Sequence, residues 1–194
     1  MPVITKQSSS SAPDAKKAAE FSADLKQAGY PPRAIAACET DFGQFLCDLP
    51  YGAKVGDWFF SHAGNTAGKT IPELSTTIMQ GGPAYLTAPD SLLEARLGEG
   101  KDQWISAPDE RALLQSYADA LGVKHMVQGH QHNEVKFADG TKRPAGKIFG
   151  YQGLLYLIDV GMSRDIDDSH GAILRITPGQ IEAIYPEAPF IRPL

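Results

Sequence analysis

Three histidines carry most of the chemical information in this sequence. His62 follows the strand-like run Trp58–Ser61, and His130 and His132 belong to a Gly-His-Gln-His tetrad that follows a short apolar run. Neutral imidazole is a good ligand for Zn, Mn, Fe and related metals. Two imidazoles from one turn can face a common cavity, and Gly129 would let the backbone turn sharply beside an ion. The pattern predicts a metal site formed by His62, His130 and His132.

The remaining histidines are assigned from their local sequence. His125 lies within the apolar run before the tetrad and is interpreted as structural. His170 belongs to a polar Asp-Asp-Ser-His-Gly loop and is expected to be exposed to solvent. The alternative is that it lies close to the metal site. For the tetrad itself, the alternative to metal binding is a pair of loop histidines that form local hydrogen bonds.

The spacing of apolar residues predicts a chain of mixed helices and strands around these histidines. Helices are predicted from Asp14, at 42–46 and within 71–120, where 92–97 and 110–121 are the clearest stretches. Strands are predicted on both sides of Gly56-Asp57, at 125–128, at 154–160, and as an antiparallel pair at 171–176 and 180–185. Both His62 and the tetrad therefore follow a predicted strand.

Charge and composition exclude two classes of partner. The net charge of −5 over 194 residues argues against nucleic acid, because phosphate binding needs clustered Lys and Arg. No apolar run approaches the roughly 20 residues of a membrane span, and residues 1–11 lack the apolar stretch of a secretory signal. Cys38 and Cys47 match no common metal motif; two free thiols would fit a reducing compartment, and one disulfide is the alternative. A cytoplasmic protein is predicted.

Four sequence motifs, taken in order, resemble those of a known enzyme family. They are Phe42-Gly-Gln-Phe-Leu-Cys-Asp-Leu-Pro50, Val55-Gly-Asp-Trp-Phe-Phe-Ser-His-Ala-Gly64, Gly129-His-Gln-His132 and Ile158-Asp-Val-Gly-Met-Ser163. This succession is similar to calcineurin-like metallophosphoesterases, and closest to their bacterial branch related to serine/threonine phosphoprotein phosphatases. The resemblance covers about residues 38–184 and corresponds to the C-terminal half of that domain.

The resemblance implies a fold and a division of the chain. It implies an α/β protein, namely the C-terminal half of the metallophosphoesterase β-sandwich flanked by helices, with an antiparallel C-terminal portion. Independently of the resemblance, the serine-rich residues 1–13 are expected to be a disordered tail or linker, and apolar spacing predicts a helical segment at 14–40. Residues 41–185 would form the half-domain, and 186–194 a second tail.

The resemblance also implies roles for single residues. His62 and His130 would bind the second of the family's two metal ions, and His132 would bind the first ion or hold the bridging group. Asn65 and Arg164 lie just beyond two of the motifs and would contact phosphate. The complete enzyme would hydrolyse phosphate esters, with Mn, Fe or Zn as the metal.

The family's first three motifs do not occur in this sequence. These motifs are Asp-x-His, Gly-Asp-x-x-Asp-Arg and Gly-Asn-His-Glu, and no histidine precedes His62. Two ions roughly 3.5–4 Å apart need anionic ligands between them, whereas three neutral histidines hold at most one ion. We therefore expect a metal-dependent phosphoesterase by ancestry that is inactive alone. A partner chain that supplies the N-terminal half is one way to complete it.

Two rival functions come from other classes of protein. The segment Ala63-Gly-Asn-Thr-Ala-Gly-Lys-Thr70 fits the relaxed phosphate-loop pattern of nucleotide-binding modules. Against that reading stand Pro72 two residues later, Ala in the first position, and neighbouring strands that are predicted to be largely antiparallel, because phosphate-loop proteins need parallel strands. The other rival is a non-catalytic binding domain that retains the histidines.

Overall fold

The computed structural model describes residues 15–97, 109–162, 169–186 and 191–193, so the predicted tail 1–13 lies outside the described residues. The chain divides into two units between Pro50 and Tyr51. The N-terminal unit contains α1 (Ala15–Gln27), α2 (Pro32–Ala36) and α3 (Asp41–Cys47). The helices of the C-terminal unit are α4 (Ile71–Leu86) and α5 (Glu110–Leu121). Its strands are β1 (Gly52–Val55), β2 (Trp58–Ser61), β3 (His125–Gln128), β4 (Val135–Lys136), β5 (Lys142–Arg143), β6 (Phe149–Tyr151), β7 (Leu155–Leu157), β8 (Ile173–Thr177), β9 (Gln180–Ile184) and β10 (Ile191–Pro193).

A disulfide joins the loop after α2 to the last residue of α3. Cys38 and Cys47 are bonded to each other, so the disulfide alternative is confirmed and the reading as two free thiols is wrong. Helix α3 begins where the Thr40 hydroxyl accepts a hydrogen bond from Gly43 N at 2.9 Å, which is the usual role of an N-cap threonine. The argument for a reducing compartment, which rested on free thiols, therefore no longer applies.

A mixed sheet forms the centre of the C-terminal unit. Its strand order is β1-β2-β3-β7-β6, with parallel pairing of β2 to β3 and of β3 to β7. The outer pairs are antiparallel hairpins, and Gly56-Asp57 forms the turn between β1 and β2 as predicted. The mixture of helices and sheets agrees with the α/β class expected from the sequence.

The core of the C-terminal unit lies where α5 packs against the central strands. Leu114 and Ala118 on α5 are fully buried, and so is Leu157 on β7. Helix α5 ends at Gly122, whose left-handed backbone (φ 65°) terminates it. Helix α4 begins with a capping box in which Thr70 and Glu73 bond to each other, and Pro72 lies in the first turn, where proline is tolerated.

The segment predicted as a helix at 92–97 is a single turn instead. The Ser91 hydroxyl accepts hydrogen bonds from Leu93 N and Glu94 N, both at 3.2 Å. Leu92 and Ala95 are buried. The apolar spacing that predicted a helix therefore reflects the burial of these side chains from a single turn. Helix propensity and spacing are weak signals that tertiary contacts override.

The C-terminal portion is an antiparallel sheet, as expected. Its strand order is β10-β9-β8, and β8 and β9 form a hairpin. Strand β10 lies within the stretch 186–194 that was expected to be a tail. No helix among the described residues is long and apolar enough to cross a membrane. The cytoplasmic location stays a prediction.

We predict that reduction of the disulfide unfolds the N-terminal unit. Of the residues whose burial is described within 15–50, only Ile35 and Gly43 are buried, so the unit has little core. A disulfide that closes a loop of roughly ten residues stabilises by about 3 kcal/mol in the chain-entropy model. Trypsin should therefore cut after Lys26 and Arg33 much faster when a phosphine reductant is present.

The control is the double variant Cys38→Ser with Cys47→Ser, whose digestion should be fast whether or not reductant is present. Mass spectrometry of the fragments shows whether cleavage is confined to the N-terminal unit. Equal protection of the unmodified protein with and without reductant would contradict the prediction.

Candidate functional site

Three parallel strands end side by side at one edge of the mixed sheet. In the register of the sheet, Ser61 of β2 lies beside Gln128 of β3, which lies beside Leu157 of β7. The loops that follow therefore begin together, and Gly129 N donates to the His62 carbonyl at 2.9 Å. Ligands commonly bind beyond the carboxyl ends of parallel strands, so this edge is the natural place for a site.

His62 and His130 meet at this edge. His62 Nε2 lies 3.0 Å from His130 Nδ1, and the two ring centroids are 4.9 Å apart. His62 is exposed and His130 is half-buried. The structure therefore brings together two of the three histidines that the sequence predicted as metal ligands, although they are 68 residues apart in the chain.

The turn after β3 is made by His130 itself. Its φ of 65° is in the left-handed region, whereas Gly129 does not adopt a positive φ. This conformation is uncommon for a residue with a side chain, and such residues concentrate at functional sites. A Cβ atom at position 129 would lie 3.4 Å from the His62 carbonyl oxygen, which is close to an ordinary contact, so the sharp turn expected of Gly129 is made by its neighbour instead.

The surroundings of His130 favour the neutral imidazole. Burial lowers the pKa of His130, and the nearby Arg96 and His62 lower it further, while Glu94 and Asp159 act in the opposite direction. A histidine with a pKa below 6.5 is mostly neutral at pH 7, and the neutral ring is the form that binds metals.

Arg143 ties the loops of the site together. The side chain is fully buried, and it donates to the carbonyls of Gln131 and Asn133 after β3 and of Asp159 after β7. A fourth hydrogen bond, 2.8 Å long, goes to the Lys147 carbonyl. Burial lowers the pKa of Arg143, but its guanidinium is still the natural donor for several carbonyls at once. One side chain thus holds the His130 loop against the end of β7.

The remaining predicted site residues have other surroundings. His132 is half-buried, and its carbonyl accepts from Gly146 N at 2.8 Å. The Asn65 side-chain oxygen accepts from Ala67 N at 2.9 Å, which is a local turn rather than a phosphate contact. Arg164 lies outside the described residues.

His125 has its contacts away from the His62–His130 pair. His125 stacks on Trp58 with centroids 4.2 Å apart, and its Nδ1 lies 2.6 Å from the Gly153 carbonyl. These contacts agree with the structural role predicted for it. His170 is exposed, as predicted.

The phosphate-loop alternative is not supported by the start of α4. The Glu73 carboxylate accepts from Thr70 N and from the Thr70 hydroxyl, both at 2.8 Å. An anion already lies on the helix terminus that a phosphate-loop would offer to phosphate. The expectation of largely antiparallel strands holds for β1 beside β2, but it is wrong for the centre of the sheet, where β2 pairs with β3 in parallel. Alternation of residues along a strand does not reveal the direction of its partner.

His62 and His130 could hold one metal ion between them. Two nitrogens that both bind a zinc ion at about 2.0–2.1 Å can be no more than about 4 Å apart, which the observed pair satisfies. No group of three or more His, Cys, Asp or Glu residues able to hold a metal occurs in the part of the chain that the structure describes. A two-metal site does not follow from these residues.

Glu94 and Arg143 were not singled out from the sequence. Glu94 Oε2 lies 4.0 Å from His130 Nε2, although the two residues belong to different segments. Arg143 follows Lys142 in a polar stretch and has the sequence context of a solvated cation. An arginine that has no acidic neighbour in a turn-rich segment gives no sign of its burial, so only the tertiary structure identifies it.

We predict that Arg143→Met destabilises the C-terminal unit by roughly 3 kcal/mol or more, because each buried carbonyl left unpaired costs about 1–3 kcal/mol. Apolar replacement cannot compensate, since the partners are backbone groups. Denaturant unfolding measures the change. Arg111→Met, on the exposed face of α5, is the matched control and should stay within about 0.5 kcal/mol of the parent. Equal stability of the two variants would refute the role given to Arg143.

Comparisons with protein-family models, with curated proteins and with solved structures find no match to this chain. Any function must therefore be argued from the side chains that the structure brings together. The His62–His130 pair at the carboxyl ends of parallel strands is the arrangement with the clearest chemistry.

Proposed function

We propose that this chain supplies the second half of a calcineurin-like metallophosphoesterase site, in which His62 and His130 bind one divalent metal ion. The observation that carries the proposal is the 3.0 Å separation of His62 Nε2 and His130 Nδ1 at the ends of two parallel strands. The family resemblance assigns both histidines to the same ion, and the juxtaposition supports that assignment.

The donor set suits a borderline metal ion. Both groups are imidazoles, which bind Mn, Fe and Zn among others, so the residues do not select one of these ions. The lowered pKa of His130 favours the neutral ring that such an ion requires. A bound divalent ion would act as a Lewis acid that polarises a phosphoryl oxygen. His62 is exposed, so this side of the pair can be reached by a ligand from solvent.

Hydrolysis needs more than these two histidines. In two-metal sites the ions are roughly 3.5–4 Å apart. A second ion at that distance would need carboxylates to offset the charge of the two ions. The family places those carboxylates, an asparagine ligand and a proton-donating histidine in its first three motifs. We propose that these groups come from another segment or from a partner chain, and that His132 then contributes to the first ion.

The substrate class follows from the same resemblance. Phosphate esters, and phosphomonoesters in particular, are the proposed substrates of the completed site, with phosphoproteins as one source. Asn65 and Arg164 are the proposed phosphate contacts. For Asn65 this requires the side chain to turn from the Ala67 amide, or to use its amide nitrogen, because its oxygen accepts a hydrogen bond within the loop.

We predict that the chain binds one equivalent of Mn²⁺ or Zn²⁺ and that His62→Ala and His130→Ala each weaken binding at least tenfold, because each removes one of two protein ligands. Calorimetry and metal analysis of the dialysed protein measure this. His125→Ala is the control, since His125 lies at the opposite end of β3 and should leave metal affinity unchanged.

Hydrolysis of p-nitrophenyl phosphate in Mn²⁺ completes the test. The chain alone should show no turnover above buffer. If it binds no metal, the proposal fails; if it turns over substrate and both histidine variants abolish this, the missing ligands are present within the chain.

A further inference from the structure

One ring nitrogen of the His62–His130 pair takes no part in the proposed metal site. His130 Nδ1 faces His62, whereas His130 Nε2, on the other side of the ring, is buried and has no hydrogen-bond partner within the described part of the chain. A buried polar atom without a partner is destabilising. The acceptor that lies opposite it is Glu94 Oε2, at 4.0 Å.

The turn that carries Glu94 is anchored on both sides of this residue. On one side, Ala63 N, next to His62, donates to the Leu92 carbonyl at 2.7 Å. On the other side, the Gln131 side chain bonds to both Leu97 N and the Leu97 carbonyl, at 2.6 and 2.8 Å. The neighbours of the two histidines thus hold the chain on both sides of Glu94, and the Ser91 hydroxyl accepts a hydrogen bond from Glu94 N.

We propose that Glu94 is a positioning residue that accepts a hydrogen bond from His130 Nε2–H and thereby keeps the Nδ1 lone pair directed at His62 and the metal ion. The carboxylate must move about 1 Å closer to reach hydrogen-bond distance. Its side chain is 45% exposed and can make that movement. The tautomer of His130 is a property of the metal-free protein, whereas the effect of Glu94 on metal affinity rests on the proposed function.

The chemistry favours this arrangement over the reverse. A histidine that binds a metal through one nitrogen almost always donates its other N–H to a carboxylate, a carbonyl or water, which fixes the tautomer and the orientation of the ring. Protonation of Nδ1 instead would direct an N–H at the ligand position and leave the Glu94 carboxylate facing a lone pair. Glu94 therefore selects the tautomer in which Nδ1 is an acceptor.

Nitrogen-15 NMR of the full chain without metal tests the tautomer at pH 8. The His130 signals are assigned by comparison with His130→Ala. The unmodified protein should show Nε2–H. Glu94→Ala should give a mixture of tautomers and should weaken Mn²⁺ or Zn²⁺ binding about 10- to 100-fold, which is the range for loss of such partners.

Two further variants separate a specific contact from general effects. Glu94→Gln keeps an acceptor oxygen and should keep the Nε2–H tautomer with a smaller loss of affinity. Glu134→Ala removes a carboxylate that pairs with Lys142 at 3.7 Å and should leave both measurements unchanged. Thermal unfolding of each variant shows whether the fold is retained.

Nδ1–H in the unmodified protein would overturn the proposal. So would an unchanged tautomer in Glu94→Ala, or metal affinity within twofold of the parent when the parent binds metal. If the parent binds no metal but Glu94→Ala changes the tautomer, the proposed function fails and the positioning role of Glu94 stands.

Discussion

The candidate site depends on the parallel register of β2, β3 and β7. Hydrogen bonding along these strands places Ser61, Gln128 and Leu157 in one row, so the three following loops begin at the same edge. A slip of one residue would turn every side chain of a strand to the other face of the sheet. The 3.0 Å contact of His62 with His130 is thus a consequence of backbone pairing as well as of the two side chains.

Buried polar groups hold the loops beyond that row. Arg143 donates to carbonyls in the loop after β3 and in the loop after β7. Gln128 fills the space beside Gly64, where a Cβ atom would lie 1.5 Å from the Gln128 side-chain oxygen. Buried polar groups are costly unless they are paired, and paired ones specify a single arrangement. His130, whose backbone is left-handed, lies next to Gln131, whose carbonyl accepts a hydrogen bond from Arg143.

Charge limits what the two histidines can do by themselves. Two neutral imidazoles suit one divalent ion, whereas a pair of ions at close range requires anionic ligands that the His62–His130 pair does not contribute. Glu94 faces the outer nitrogen of His130, so its proposed role is to orient a ligand. The proposed metal binding is therefore separable from hydrolysis, which depends on groups that the proposed half-site lacks.

The sequence by itself determined the features that depend on neighbours in the chain. The Gly56-Asp57 hairpin, the β8–β9 pair and the helix end at Gly122 follow from local turn and capping chemistry. The sequence also identified His62 and His130 as candidates, because their residue type and their position after a predicted strand can be read from the sequence. Only the tertiary structure decided which strands pair in parallel, that 92–97 is a turn, and that the two cysteines are bonded. It alone placed Glu94 and Arg143 at the site, because their partners lie in other segments and burial is decided by the whole fold.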